Sequence, residues 1–471
     1  MSNTVYYAHS TKNPDKSDWQ PLKLHLTNVA EIASSFAQDF NAQKFAYAAG
    51  LLHDIGKYSQ EFQGRLEGSN LIVDHSTAGA KESRLRYPLP QNRILEYIIA
   101  GHHGGLLNFG SSESEKGLEQ RLSRVMVPDY SSYNDEIQIP DLNDIQPNLK
   151  SVQKNAGLSI SFYIRMLYSC LVDADSLDTE QFCNPGKSYL RENYEPFEVL
   201  IKRFNDRMSV MLSQAEESKI NHYRREIYEQ CVEKAALPPQ MFTLTVPTGG
   251  GKTLSSMAFA LEHLKKNGLK RIFYVIPYTS IIEQNAAIFR EIFGSQSVLE
   301  HHSNFDPKTV DFENFVSGEE ALKLSTENWD MPITITTNVQ FFESLFSNKR
   351  SRCRRLHNLA KSVIILDEAQ MLPTEYLKPS LAALSELVQN YGSSVVICTA
   401  TQPKLSDLLD SSIEPIEITC SPMDLYEAFN YHFFIHCYLM MSSLPWKLLD
   451  LILMSVSFTR IDREGQVWHL I

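Results

Sequence analysis

Two textures of apolar patterning divide the chain. Up to about residue 185 the apolar positions recur at helical spacing, as where Phe45, Ala48, Ala49 and Leu52 fall at i, i+3, i+4 and i+7. That stripe predicts an amphipathic helix leading straight into His53-Asp54, with Gly56 offering the stop. A second helix is predicted through Ile94, Tyr97 and Ile98 to Gly101-His102-His103-Gly104-Gly105, and a third from about Leu158 to Leu177. Residues 106–150, richer in Ser, Asn, Asp, Glu and Pro, read as a loop or insertion. From about residue 240 short β-branched runs take over, at 242–246, 271–276, 333–336, 363–366 and 394–398. Longer amphipathic stretches separate them, which predicts βαβ units and a mainly parallel sheet covered by helices. The expected fold is multidomain, an all-α part over 1–185 and an α/β part over 216–425. Residues 186–215 read as a connector that becomes helical.

Composition changes this picture little. At 471 residues there is chain enough for two or three domains, and 43% hydrophobic with 21% charged residues is ordinary for a soluble protein. The net charge of −12 argues against indiscriminate coating of nucleic acid but leaves room for a local basic channel. The run Lys349-Arg350-Ser351-Arg352-Cys353-Arg354-Arg355 is one candidate for such a channel; a solvated helix face is the plainer reading. The seven cysteines contain no C-x-x-C pair, so free buried thiols in a reducing compartment are expected. The polar N-terminus and the absence of an apolar run of about 18 residues predict a cytoplasmic protein without a membrane partner.

Candidate chemistry concentrates in two places. Six of the 14 histidines, His9, His25, His53, His75, His102 and His103, lie in the first 103 residues, several of them at predicted helix ends. Adjacent helical residues point about 100° apart, so His53 and Asp54 could each lean towards a different ion, with the carboxylate bridging two. Imidazole and carboxylate together suit Fe, Mn, Co, Ni or Zn, and paired ions suit phosphodiester hydrolysis. On spacing alone, satisfied core histidines explain the pattern as well. Asp173 and Asp175 both lie near the end of the third helix, facing roughly opposite sides, so only one could join such a site.

The second place is Val246-Pro247-Thr248-Gly249-Gly250-Gly251-Lys252-Thr253, which follows a predicted strand and precedes a predicted helix. In that context the glycines let backbone N–H groups approach phosphates, Lys252 offsets the β/γ charge and Thr253 can hold Mg²⁺. Val246 stands where the general phosphate-loop pattern has a glycine. Downstream, the apolar run Val363–Leu366 delivers Asp367 and Glu368 at its C-terminal end, where open α/β sheets bind ligands. ATP with Mg²⁺ is the expected ligand, Asp367 holding the ion through water and Glu368 polarising the attacking water.

These motifs resemble a known family. Leu51-Leu52-His53-Asp54-Ile55-Gly56-Lys57 is similar to the signature of HD phosphohydrolases. The order of His25, His53-Asp54, His75 and His102-His103-Gly104, followed by a distal aspartate, resembles the CRISPR-associated HD nuclease–helicase of type I interference. The resemblance implies metal ligands at His25, His53, Asp54, His75, His102, His103 and Asp175, which fits the family pattern better than Asp173. It implies two divalent ions, from among Fe, Mn, Ni, Co or Mg. His53 and Asp54 would be catalytic, Lys57 would contact a scissile phosphate or stay solvated, and His9 would be structural. Pro247–Thr253 fits a superfamily-2 helicase loop, 367–370 its DEAx box, and Thr399-Ala400-Thr401 its coupling element. Thr279, Gln284, Ser303, Asn304, Thr337 and Asn338 fall in elements that contact the DNA strand in such helicases, and His301-His302 go with that loop. The implied partners are single-stranded DNA of an R-loop and a guide-RNA surveillance complex of the Cascade type.

The resemblance runs to about residue 425, through the first RecA-like lobe, and residues 426–471 read as an aberrant or truncated tail. A frameshift, or a second lobe on another chain, would leave autonomous unwinding in doubt. Two other functions remain open: an HD phosphohydrolase acting on nucleotides, and a nucleotide-gated DNA-binding remnant.

Overall fold

One long helix organises the N-terminal half of the computed structural model. It describes residues 5–110, 117–150, 156–191, 194–307, 310, 318–400, 409 and 413–429, with the backbone of 458–461 and 467–470. The first helices are α1 (Leu22–Ala37), α2 (Gln43–Leu52), α3 (Ser76–Arg86) and α4 (Gln91–Gly101); α1, α2 and α4 pack on α5 (Ala156–Cys183), and α3 packs on α4. Helix α5 is 28 residues long and is buried on almost every side through Phe162–Ala174, the pattern of a central rather than a surface helix. It continues past the predicted Leu177 because Asp178, three residues beyond Asp175, is itself buried by partners.

Small residues bring the other helix ends close. A Cβ on Gly50 would lie 2.4 Å from the Ala30 Cα, so α1 and α2 touch through backbone. Gly56 is not the helix stop: α2 ends at Leu52, and the following turn, Ile55–Tyr58, is a 3₁₀ helix. A Cβ on Gly56 would meet the His75 carbonyl oxygen at 2.3 Å, so its bare backbone makes room for the His75 loop. The 106–150 stretch is no detached loop, since Leu118, Leu122, Tyr133, Ile137 and Leu142 are buried in the same core.

The C-terminal half holds a seven-stranded parallel sheet. After β1 (Tyr7–His9) and β2 (Gln20–Pro21) in the helical half come β3 (Met241–Thr245), β4 (Arg271–Ile276), β5 (Val298–His301), β6 (Ile333–Thr337), β7 (Ser362–Leu366), β8 (Ser394–Thr399) and β9 (Ile416–Glu417). Their order is β5-β6-β4-β7-β8-β3-β9, with every described pairing parallel. The five predicted runs are the central strands; β5 and β9 are short edge additions. Strand alternation separates two cores: Phe273 and Val275 pack towards the helical half, while Ile272, Tyr274 and Ile276 face the other side. On that other side lie α6 (Phe197–Gln214) and α7 (Lys219–Lys234), so the predicted connector packs through Leu200, Ile201 and Phe204 onto the α/β half.

Most of the basic run is paired with carboxylates of the chain and is not a freely solvated face. Arg350 bonds Asp175, Arg352 bonds Glu343, and Arg354 bonds Asp173 and Glu327. Arg355 lies over the Trp329 ring. The run staples the sheet's crossover to α5, because the carboxylates of α5 would otherwise be buried unpaired. Cys170, Cys231, Cys353 and Cys398 are buried and free. Among the described residues no helix is long and apolar enough to cross a membrane. Thr401 and most of 426–471 lie outside the described residues.

Candidate metal centre and nucleotide site

Asp54 sits at the hub of the histidines. Its Oδ2 is 3.7 Å from His25 Nε2 and 3.5 Å from His53 Nε2; its Oδ1 is 3.4 Å from His75 Nε2 and 3.3 Å from His102 Nε2. His103 Nε2 lies 2.7 Å from His75 Nε2. Two groups of potential ligands result, His25–His53–Asp54 and Asp54–His75–His102–His103, sharing the one carboxylate. Asp175 joins the first group, its Oδ1 3.7 Å from His25 and 3.8 Å from His53. Asp173 faces away from the cluster, bonded to Arg354 and Asn328.

Local structure turns the ligand atoms inward. His53 and His102 each donate from Nδ1 to a carbonyl one turn back, Gly50 and Ile99, at 2.7 Å. His25 Nδ1 is 2.6 Å from Asp178 Oδ2, and that carboxylate also accepts from Gln20 and Asn28. With Nδ1 committed, Nε2 is left as the inward lone pair on each ring. The Nε2 atoms of His25, His53 and His102, and Asp54 Oδ1, are buried without a hydrogen-bond partner. Buried polar atoms seldom stay unpaired, so this donor set fits divalent cations.

The charges agree with that fit. Burial pushes the His53 imidazole down to about 4, leaving it neutral at pH 7 and able to bind a metal; burial lowers His75 too. Burial works against ionisation of Asp54, but Lys57, with help from His53 and His75, holds its carboxyl well below the usual range. Lys57 is not solvated: it is 4% exposed, and its ammonium lies 2.7 Å from Asp54 Oδ2. His25 is raised: burial is the largest influence and opposes its charge, but the bonds to Asp178 and Asp54, with the charge of Asp175, together outweigh it. His9 stacks against Phe182 and meets His25 edge-on.

The nucleotide motifs meet along the C-terminal edge of the sheet. The loop after β3 carries Thr248 and Gly249 exposed, and Gly249 and Gly251 have φ of +84° and +82°, a region that favours glycine. A Cβ on Gly250 would lie 2.5 Å from Val246 Cγ1, so here a buried valine fills the position where the general pattern has glycine. Lys252 and Thr253 open α8 (Lys252–Asn267). The Lys252 ammonium bonds Glu368 and lies 3.3 Å from Asp367 Oδ1. Tyr274 donates to Asp367 Oδ2 at 3.1 Å, and burial raises the Asp367 carboxyl. Arg224, on α7, donates to the Gly249 carbonyl at 2.8 Å.

The predicted strand-contacting residues follow three neighbouring strands, β4, β5 and β6. Thr279 opens α9 (Thr279–Phe293), on which Gln284 is exposed; Ser303 and Asn304 are exposed in the turn after β5. Thr337 instead caps α10 (Asn338–Phe346) by accepting from Gln340 N–H, and Asn338 is buried. His301 and His302 turn inward, away from a DNA-contacting role: His301 accepts from Trp329 Nε1 at 2.7 Å, and His302 lies 2.8 Å from Glu300.

Comparison with known proteins agrees with both halves. Residues 24–130 match the HD domain family and residues 225–408 the DEAD/DEAH box helicase family. A CRISPR-associated nuclease/helicase Cas3 of Haloferax volcanii is 35% identical over 188 residues, covering 36% of this chain and 20% of that protein. A Methanocaldococcus jannaschii protein assigned to Cas3 is 21% identical over 420 residues, covering 78% of this chain and 55% of its own length. The chain carries an HD domain and a DEAD/DEAH box helicase domain and is similar to Cas3-type nuclease–helicases. The fold likeness to T. fusca Cas3 has a TM-score of 0.56 at 16% identity and covers 85% of this chain and 50% of that one. The chain thus spans about half the length of these Cas3 proteins, or less. The two domains imply use of a divalent metal and of ATP with Mg²⁺.

Two residues of this site escape a reading of the sequence: Asp178, which orients His25, and Arg121. Arg121 donates to the Asp74 carboxylate at 3.1 Å and to Ser76 and Thr77, fixing the loop that presents His75. The i, i+3 spacing of Asp178 from Asp175 was the one available signal for the first. Asp178→Asn is expected to weaken Mn²⁺ binding by about 10–100-fold, because the His25 tautomer and ring angle lose their anchor. Calorimetric titration of the metal-stripped protein checks this.

Proposed function

We propose that this chain cleaves single-stranded DNA in CRISPR interference, at an HD site coupled to an ATP-binding helicase domain. The observation that carries the reading is the single buried carboxylate, Asp54, shared by two groups of inward-facing imidazoles. His25, His53, Asp54 and Asp175 would hold one divalent ion, and Asp54, His75, His102 and His103 a second. Such a pair supplies hydroxide near neutral pH and neutralises charge developing on the phosphate. The chain's own residues then do the rest: Asp178, Gly50 and Ile99 fix the rings, and Lys57 keeps Asp54 ionised. With its ammonium on Asp54, Lys57 is better placed for that than for the scissile phosphate.

In the helicase domain, Thr248–Thr253 would cradle the phosphates, and Thr253 and Asp367 would hold Mg²⁺. Glu368 would orient the attacking water. Gln284, Ser303 and Asn304, exposed, and the half-buried Thr279 offer hydroxyl and amide groups for a strand crossing the sheet edge, where contacts to the phosphate backbone position without reading sequence. A guide-bearing surveillance complex would present that strand from an R-loop. Translocation is proposed for full-length proteins of this type. Within the chain we assign residues 1–185 to the nuclease, 186–215 to the connector and 216–425 to the first RecA-like lobe.

The test presents the metal-stripped protein, reloaded with Mn²⁺, Ni²⁺ or Co²⁺, with a single-stranded oligonucleotide and with mononucleotides. Nicking of the oligonucleotide without turnover of mononucleotides is expected. Hydrolysis of mononucleotides with intact DNA would move the assignment to a nucleotide phosphohydrolase.

A further inference from the structure

The segment joining α10 to β7 reaches both halves of the metal centre from the helicase domain. At its start, the Asn348 carbonyl accepts from Leu106 N–H at 2.9 Å, and a Cβ on Gly105 would lie 2.4 Å from that same oxygen. Gly105 and Leu106 follow directly on His102-His103, so the segment abuts the loop that ends the second ligand group. Two residues on, Arg350 Nη2 donates to Asp175 Oδ2 at 3.1 Å, to Ser176 Oγ at 2.7 Å and to the Val172 carbonyl at 3.4 Å. The other oxygen, Asp175 Oδ1, is the one turned to His25 and His53.

We propose that Arg350 is a positioning residue of the HD site, supplied by the helicase domain, that presents Asp175 to the ion held with His25 and His53. This rests on the two-ion reading above. The side chain of Asp175 is 10% exposed, so little water is available to satisfy Oδ2 in place of the guanidinium. With Oδ2 occupied, the carboxylate is held in one rotamer and can offer only Oδ1 inward. Three acceptors on one turn of α5 fix the guanidinium in turn, so the geometry is set by the helix and not by a mobile surface pair. The neighbouring ion pair of Arg354 with Asp173 grips the opposite side of α5 and keeps the segment docked.

The test titrates the full metal-stripped chain with Mn²⁺ by calorimetry, counting bound ions by electron paramagnetic resonance. The wild-type chain should take two ions. Arg350→Ala should weaken one of them by about 10–100-fold and leave the other unchanged. Arg350→Lys, which keeps a charged donor, should restore most of the loss. If the alanine variant does not fold, Arg350→Gln, which keeps the packed stem, reads the same difference. Unchanged binding, tighter binding, or equal weakening of both ions would overturn the role of Arg350. Fewer than two ions in the wild-type chain would instead overturn the two-ion reading itself.

Discussion

Asp54→Ala is expected to abolish metal-dependent cleavage, by about 10³-fold or more, since groups that act as a unit fail together. Its two oxygens face different ligand groups, Oδ1 towards His75 and His102 and Oδ2 towards His25 and His53. Removing it strips both ions of a ligand at once, whereas His75→Ala would touch only one group. The alanine variant should also be less stable when free of metal, by about 3–5 kcal/mol, because it leaves the Lys57 ammonium buried without its carboxylate. The sign of the pH dependence follows. A carboxyl whose folded pKa is depressed adds stability above its ordinary value of about 4, and that contribution disappears as the pH falls through the folded value. The stability gap between wild type and variant should therefore be full at pH 7 and close only under strongly acid conditions. Asp54→Asn separates shape from charge: its amide oxygen can still accept from Lys57, so part of the stability returns, while both ions lose their shared anionic ligand. Oligonucleotide cleavage and thermal melts in chelator, run on both variants, check the pair of expectations. Cleavage surviving in either variant would remove Asp54 from the chemistry.

The sequence made the candidate ligands legible and left their supports hidden, for a physical reason. His53-Asp54 and His102-His103 announce themselves because each closes an apolar helical stripe, and 3.6-residue periodicity is a local signal. Asp175 and Asp173 could not be ranked by periodicity, which says only that they face apart; the packing of α5 between two domains places one at the histidines and the other at Arg354. Asp178 was lost because the apolar stripe fades at Leu177, while the helix is carried on by contacts with Gln20 and His25, some 150 residues away in sequence. Arg350 was misread for the same reason. A run of five basic residues in seven looks like a solvated or nucleic-acid-binding face until its partners appear, and those of Arg350, with Asp173 beside Arg354, lie on α5. The sheet was legible strand by strand where β-branched runs are buried on both faces. The edge strand β5 was not, since Val298-Leu299-Glu300-His301 carries charge and aromatic polarity that suit a loop equally well. His301 and His302 then went to the wrong side, because Trp329 and Glu300, which hold them inward, are invisible to pattern.

Glu368→Gln is expected to pull nucleotide binding and hydrolysis apart. The Lys252 ammonium is bonded to Glu368 and lies close to Asp367, so incoming β- and γ-phosphates must compete with two carboxylates for it. Glutamine keeps the shape and an amide donor or acceptor but removes one of the competing charges. ATP should accordingly bind several-fold more tightly, a gain limited because the Glu368 side chain is 30% exposed and its ion pair is partly screened by water. Hydrolysis should move the other way, falling about 10²–10⁴-fold, because no group remains to take the proton of the attacking water. The backbone supports a dedicated role at this position. Glu368 is held at φ +49° and ψ +45°, a left-handed conformation that costs of order 1–3 kcal/mol in a non-glycine residue. That conformation, with its N–H bonded to Asp367 Oδ1, directs the side chain back across the phosphate loop. Binding of a fluorescent ATP analogue and release of inorganic phosphate, measured with Mg²⁺ on the same preparation, separate the two quantities. Weaker nucleotide binding in the variant would mean that the Lys252 pair guides phosphate in and does not compete with it. Undiminished phosphate release would place the base elsewhere along the sheet edge.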